Sequence, residues 1–487
     1  MATRCGYTNH PYRVYPKRNT ERSPKVNRTM LVMTERQHKQ IFAHLFPGDG
    51  LEAAAILLCN RGSGRDTCRL IIAEIISIPH DISRRMKKYL SWPFADFFPP
   101  EIITQIDQTG QSIVTIHSHP NNFNEFSLRD NKTDKELFDS INNWFDDQRS
   151  NGSAIMLPDG RVRARVVHSE GEFSEIDSVN VVGDSIRMWK KVRMLRNSDF
   201  SNKLSQTFGR GTLELLHNIR VGVVGCSGTG SVVAELLARN CVGEIVIVDP
   251  DVLEEKNLNR IIGATMKEAR DQQPKVEVAK RAIEAMDLGT KVFTYQGDTS
   301  HSEVVKALVD CDVLFGCVDS AFGRYDLDCI ASAYLIPYFD VGVYLEADGR
   351  GGISNADAVS HYVHPEGKSL LEQGVYKMNQ VTAENWHRTM PEYYLEQRKN
   401  GYLMAVGEEQ PAVMSLNMLA SCMAFNDFLA RLHQFRFDKN REFSTQRYRL
   451  VHGCYEREED GNGTNPLISK YVGTGDQSLL VRNNTVR

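Results

Sequence analysis

A chain of 487 residues that is 41 % hydrophobic and 25 % charged, with a formal net charge of -4, has the make-up of a globular protein of roughly two to four domains. A pI near 6.4 leaves no general nucleic-acid footprint. No apolar run is long enough to span a bilayer and there is no signal-peptide core, so a cytoplasmic protein without membrane contact is expected. Ten cysteines without a C-x-x-C pair speak against an extracellular disulfide framework and predict free thiols.

Residues 1–27 carry Arg4, Arg13, Lys17, Arg18, Arg22 and Lys25 among prolines without periodicity, and read as a flexible basic arm. From Met30 the pattern predicts a strand, a helix over 34–46 ended by Pro47-Gly48, and an apolar strand over 51–58 with one acid, Glu52, at its start. That acid is either at an exposed strand end or at work. Arg69 to Ile78 reads as the partner strand, with 60–64 as the turn between them, and Pro99-Pro100 opens a helix.

The run Ile113 to Ile116 is a strand that delivers His117 and His119 to one face, because side chains two apart share a face. From Phe126 the spacing turns helical, with Ser127 as the cap and Asp130 in the first turn. Two imidazoles and one carboxylate make a common catalytic zinc set that leaves a position for water. Such an ion brings the pKa of its water to about 7 and polarises a carbonyl, as amide hydrolysis needs. Glu52 is the candidate general base. Each part alone also fits a plainer reading, an H-x-H surface or core pair and a simple helix cap. Strands near 154–156 and 162–167 flank the turn Pro158-Asp159-Gly160. The first domain is expected over 28–175, followed by a helical connector over 176–199.

Glu52, His117-x-His119-Pro120 and Ser127-x-x-Asp130 together resemble the JAMM (JAB/MPN+) metalloproteases, which cleave after the C-terminus of ubiquitin or ubiquitin-like proteins. The resemblance implies an α+β, cytidine-deaminase-like domain. It also implies that His117, His119 and Asp130 hold Zn2+, that Glu52 activates water, and that Ser127 hydrogen-bonds the developing oxyanion.

A second domain opens with an apolar strand from Val221, the turn Gly225-Cys226-Ser227-Gly228-Thr229-Gly230, a helix to Arg239, and a strand Glu244 to Val248 ending in Asp249. Strand, glycine-rich turn and helix N-terminus make an anion site, and an acid at the next strand end suits ribose hydroxyls. Alone, this favours a generic dinucleotide site. Asp249-Pro250-Asp251, then Asn257-Leu258-Asn259-Arg260, then Lys275 opening an amphipathic helix, then a strand Val313 to Cys317 before Asp319, follow in order.

This order resembles the ThiF/MoeB/ubiquitin-activating family over roughly 200–435, and implies a Rossmann-like, doubly wound adenylation domain, placed at 200–450. The resemblance puts Gly225, Gly228 and Gly230 at ATP, Asp249 and Asp251 at its sugar and metal region, Asn257, Arg260 and Lys275 at its phosphates, and Asp319 on Mg2+. The family's reaction joins a protein's C-terminal carboxylate to AMP. Both reactants are anionic, so Arg260 and Lys275 offset their repulsion. The plainer reading of both is surface charge.

Departures set limits on the resemblance. Cys454 stands alone where many members pair cysteines on zinc, so no zinc is expected in the second domain. No cysteine lies between Gly342 and Gln410, where a thioester nucleophile is expected. Cys422 and Cys317 read as core thiols, and Ser369 as a possible replacement for the missing cysteine. Fusing the two domains lets both read one extended, glycine-ended tail. The implied function is a bacterial ubiquitin-like processing and activation protein, a homodimer working beside a conjugating enzyme and, by family analogy, in antiphage defence. The rival is a sulfur-carrier or peptide adenylyltransferase with a carrier-trimming protease. The polar tail over 451–487 carries no chemical assignment.

Overall fold

The computed structural model describes residues 28–477, apart from 87–88, 146, 148, 169–170, 196, 349, 351 and 400–412. The expected basic arm, residues 400–412 of the stretch where a thioester cysteine is expected, and the end of the tail lie outside the described residues. Two large sheets carry the fold. No helix among the described residues is long and apolar enough to cross a membrane.

The first sheet has nine strands, in the order Ile186–Lys190, Ser178–Val182, Arg28–Thr34, Thr67–Ser77, Ala54–Ser63, Ser112–Ser118, Gly152–Met156, Val162–Val167, Phe173–Glu175. Its central strands are apolar and almost wholly buried, and helices Glu35–Leu45, Pro100–Thr109 and Leu128–Asn142 accompany them. The second sheet has eight strands, in the order Lys291–Tyr295, Glu244–Val248, Arg220–Val224, Val313–Gly316, Tyr338–Ala347, Ile353–Val363, Thr445–Arg449, Cys454–Glu458. Its first five strands run parallel. They read as continuous apolar runs because helices cover both faces. Sequence order reverses at Arg220–Val224, the switch point beside which doubly wound sheets bind ligands.

Three sequence expectations change. Residues 176–199 are not a helical connector: they supply two strands of the first sheet, and the next helix, Asp199–His217, begins only at their end. The first domain therefore runs past 175. The polar residues that disguise these strands are matched across the domain border, where the buried Asp312 carboxylate accepts from Lys190 Nζ (2.6 Å) and Asn180 Nδ2 (3.3 Å). Residues 60–63 are strand as well, and the turn closes at Gly64, whose N–H donates to Thr67 O (2.9 Å). The polar and glycine signal there marks a contact. A Cβ on Gly62 would come within 2.8 Å of the Tyr334 ring, and Asn60 donates to Gly473 O. The tail, finally, is built in, because Cys454–Glu458 is the last strand of the second sheet. Asp476 accepts from Ser63 N and from Tyr334 Oη, tying both domains to the chain end.

The domains share a core. Met30, Val32, Ile71 and Val182 pack in one cluster with Leu308, Val309, Tyr334 and Leu335. Arg69, fully buried, donates to the carbonyls of Tyr334, Val309 and Cys311. Arg28 and Arg220 both reach Glu244, at 2.7 Å each. Burial works against that carboxylate, but Arg28 and Arg220 hold its pKa at about 2.

A depressed carboxyl stabilises the fold above its ordinary value of 4.5, and that contribution is lost as pH falls through about 2. Glu244→Gln is therefore expected to flatten the acid limb of a urea-midpoint against pH curve between these values. An unchanged limb would remove Glu244 as a titrating link between the domains.

Candidate functional site

Backbone pairing assembles the first site. Ala54 stands opposite His117 in antiparallel register, and Ser118 N donates to Ala53 O (3.0 Å), so Glu52 is carried across from His119. The strand itself begins at Ala54, leaving Glu52 in its lead-in. Ser127 caps helix Leu128–Asn142: its Oγ accepts from Asp130 N (3.1 Å), and its own N–H donates to Asp130 Oδ2 (2.6 Å). This reciprocal box fixes the carboxylate while it satisfies the helix end.

His117 Nε2 and His119 Nε2 lie 3.1 Å apart, and Asp130 oxygens stand 3.6 and 3.5 Å from them. Tetrahedral bonds of about 2.0–2.1 Å would separate donors by about 3.3 Å, so this set fits one zinc ion. His119 Nδ1 lies 2.7 Å from Phe123 O, which turns Nε2 inward, as ligating imidazoles are turned. Burial works against the Asp130 carboxylate, yet His119, His117 and Ser127 hold it well below the usual range. Burial drives Glu52 the other way, to about 7, against the pull of His119. It is then poised to exchange a proton near neutrality.

Sequence reasoning missed the support beneath this site. Asp134, one turn beyond Asp130, meets Arg165 Nη2 at 2.6 Å and accepts from Ser153 Oγ, while Arg165 Nη1 donates to Asn131. The i, i+4 spacing of Asp130 and Asp134 on one helix was the available signal.

The second site forms at the carboxyl ends of Arg220–Val224, Glu244–Val248 and Val313–Gly316. Gly225 has φ +89°, and a Cβ there would strike Cys317 O; one on Gly230 would strike Gly225 O, and one on Gly228 the Asn417 amide. All three glycines are close-approach positions. Asp249 is buried, and its two oxygens accept from Cys226 N (2.6 Å) and Asp251 N (2.9 Å), so it holds the turn. Lys275 is buried with Nζ 2.7 Å from Asp251 Oδ2. Asn257 braces its own turn through Glu254 N (3.0 Å), and Arg260 Nη1 donates to Lys256 O (3.2 Å). Asp319 is exposed past the end of its strand.

Helix Met414–Leu432 was missed as part of this site. It lays Asn417 against Gly228, and Ser421 Oγ donates to Thr229 O (3.0 Å). Among the thiols, burial pushes Cys317 up to about 12 and raises Cys422. Ser369 does not replace a nucleophile: it is buried, with Oγ donating to Glu372 Oε2 (2.8 Å).

The geometry defines a class: a His-His-Asp cluster in the first domain and a glycine-rich strand-turn-helix unit in the Rossmann-like sheet of the second. Comparison with known proteins agrees on both halves. Residues 200–446 match the ThiF family model and residues 34–167 that of prokaryotic homologs of the JAB domain. The chain belongs to the ThiF family, with a JAB-like domain ahead of it.

Similar proteins include the adenylyltransferase and sulfurtransferase MOCS3 of Danio rerio, 33 % identical over 23 % of this chain and 24 % of its own. The tRNA threonylcarbamoyladenosine dehydratase of Bacillus subtilis is 43 % identical over 15 % of this chain and 29 % of its own. The chain thus spans about a quarter to a third of the length of these relatives. A crystal structure of E. coli MccB matches at 17 % identity and TM-score 0.42, covering 58 % of this chain and 74 % of that one.

Gly230→Ala is expected to lower stability by about 1–3 kcal/mol, because its Cβ has nowhere to go. Gly211→Ala, in a helix with nothing within 4 Å, should leave it unchanged or slightly raised. Equal urea midpoints for the two variants would remove the close-approach argument.

Proposed function

We propose that this chain is a bifunctional enzyme of a ubiquitin-like pathway. One site trims or releases a ubiquitin-like protein, and the other joins that protein's terminal glycine carboxylate to AMP. The observation that carries the reading is the His117, His119 and Asp130 cluster with Glu52 set across from His119, in a chain whose other half belongs to the ThiF family.

At the first site His117, His119 and Asp130 would hold zinc. When bound, the ion acidifies water and polarises the scissile carbonyl. Glu52 takes a proton from the attacking water and returns it to the departing amine. Ser127 Oγ already accepts from Asp130 N, so its hydroxyl hydrogen is left to donate to the carbonyl oxygen as charge builds there.

At the second site a carboxylate oxygen attacks the α-phosphorus of ATP and the bond to the pyrophosphate oxygen breaks. The glycine-turn N–H groups, Arg260 and Lys275 offset the charge, and Asp319 would hold Mg2+ with the phosphates. Asp251 keeps Lys275 placed before ATP arrives. No cysteine stands between Cys329 and Cys422, and in this reading the thiol of a conjugating partner attacks the acyl carbon of the adenylate, forming a thioester as the bond to the phosphate oxygen breaks and AMP leaves. In this reading the chain works as a homodimer and, by family analogy, in antiphage defence. The sulfurtransferase relatives favour a second reading, in which the glycine-ended protein is a sulfur carrier.

Two measurements test the proposal. Glu52→Gln should keep the zinc content of the wild type and lose about 10²-fold or more in cleavage of a ubiquitin-like fusion; retained cleavage would take the base role from Glu52. ATP-pyrophosphate exchange should depend on a glycine-ended ubiquitin-like protein and drop at least about tenfold in Lys275→Ala. Exchange driven by a sulfur carrier and by no ubiquitin-like protein would select the second reading.

A further inference from the structure

A second group of metal-ligand side chains lies at the border of the two domains, outside both sites described above. Asp184 comes from the turn between strands Ser178–Val182 and Ile186–Lys190 of the first sheet. His364 follows strand Ile353–Val363, and Asp460 follows Cys454–Glu458, both in the second sheet. Their donor atoms all lie within 4.8 Å of one another. We propose that Asp184, His364 and Asp460 form a second metal site, for a divalent transition ion that takes imidazole and carboxylate ligands, zinc foremost.

The spacing is that of the first site. His364 Nε2 stands 2.9 Å from Asp460 Oδ2 and 3.5 Å from Asp184 Oδ1. Donors around a tetrahedral zinc ion are separated by about 3.3 Å. The set is also oriented. Asp460 Oδ1 accepts from Lys368 N (3.0 Å) and Gly461 N (2.8 Å), which turns Oδ2 toward His364. The Tyr362 ring stacks on the imidazole with centroids 5.5 Å apart.

Two independent features point to a ligand. A Cβ on Gly367 would fall among Asp460 Oδ2 and His364 Nε2, so the missing side chain leaves a cradle in front of the donors. His364 is only 8 % exposed, yet its Nδ1 has no hydrogen-bond partner. The residue also borders a cavity of about 20 Å³ lined by Ser369, Glu372 and Ser469, enough for one water. A ligating imidazole needs such an outlet for its other nitrogen. On the other side the group opens to a cleft of about 280 Å³, where further water ligands fit.

The cations around that cleft are paired elsewhere: Arg36 with Glu366 (3.2 Å), Lys39 with Glu35 (2.8 Å) and Arg441 with Glu459 (2.8 Å). Two carboxylates converge on a single imidazole, with Arg431 and Arg441 near enough to favour the ionised Asp184, and a dication would sit among the three side chains. Bound there, it clamps Asp184 of the first domain to His364 and Asp460 of the second.

The plain competitor is a protonated imidazole bridging two carboxylates with no ion, and the two differ in zinc content. The full-length His117→Ala/His119→Ala chain, which lacks the first site, is loaded with Zn2+, desalted and assayed for metal. It should hold one zinc per chain against two in the wild type, and its Tm should rise by at least about 2 °C on loading. Adding Asp184→Asn, at a turn position that is partly exposed, should remove both the zinc and the shift while the metal-free Tm stays close to that of the parent. No zinc above background in His117→Ala/His119→Ala, or zinc and shift that survive Asp184→Asn, would overturn the proposal. Neither result depends on the reactions assigned to the two catalytic sites.

Discussion

The structure depends on one buried polar seam. Asp312 accepts Lys190 Nζ and Arg220 N, and Asp310 accepts Arg220 Nη1, while Glu244 draws in Arg28 and Arg220. Buried charges are tolerated only when paired and hydrogen-bonded, so each of these groups requires the others in place. The seam crosses the domain border, and the apolar cluster around Tyr334 and Leu335 closes over it. The two sheets are consequently one packed body, in place of two domains on a tether.

That arrangement bears on function. A flexible fusion raises local concentration through its linker. Here strand Ile186–Lys190 of the first sheet runs through a short segment into helix Asp199–His217, and the tail returns to bind Asn60, Ser63 and Tyr334. The shared core and the returning tail thus hold the two domains in a set relation.

What was legible in the sequence was local. The two-residue period put His117 and His119 on one face, and the capping box Ser127-x-x-Asp130 announced its helix, because strand alternation and helix capping are decided within a few residues. The glycine turn, Asp249 and Lys275 likewise sit in one strand-turn-helix unit and its neighbour. What was hidden is long-range. Asn180 and Lys190 made two strands look unlike strands, since their partner Asp312 lies more than a hundred residues away. Gly62 and Asn60 looked like a turn because they meet Tyr334 and Gly473. Asp184, His364 and Asp460 share no local pattern, and only the fold brings them together.

The central claim is that one polypeptide prepares a glycine-ended tail and then activates it. It is tested most directly by ATP-pyrophosphate exchange on a ubiquitin-like protein carrying extra residues beyond its terminal glycine. Wild-type protein should support exchange after a lag set by trimming, and Glu52→Gln should support none on that precursor while exchanging normally on the pre-trimmed form. Equal exchange by both proteins on the extended precursor, or none by either on the trimmed one, would contradict the account.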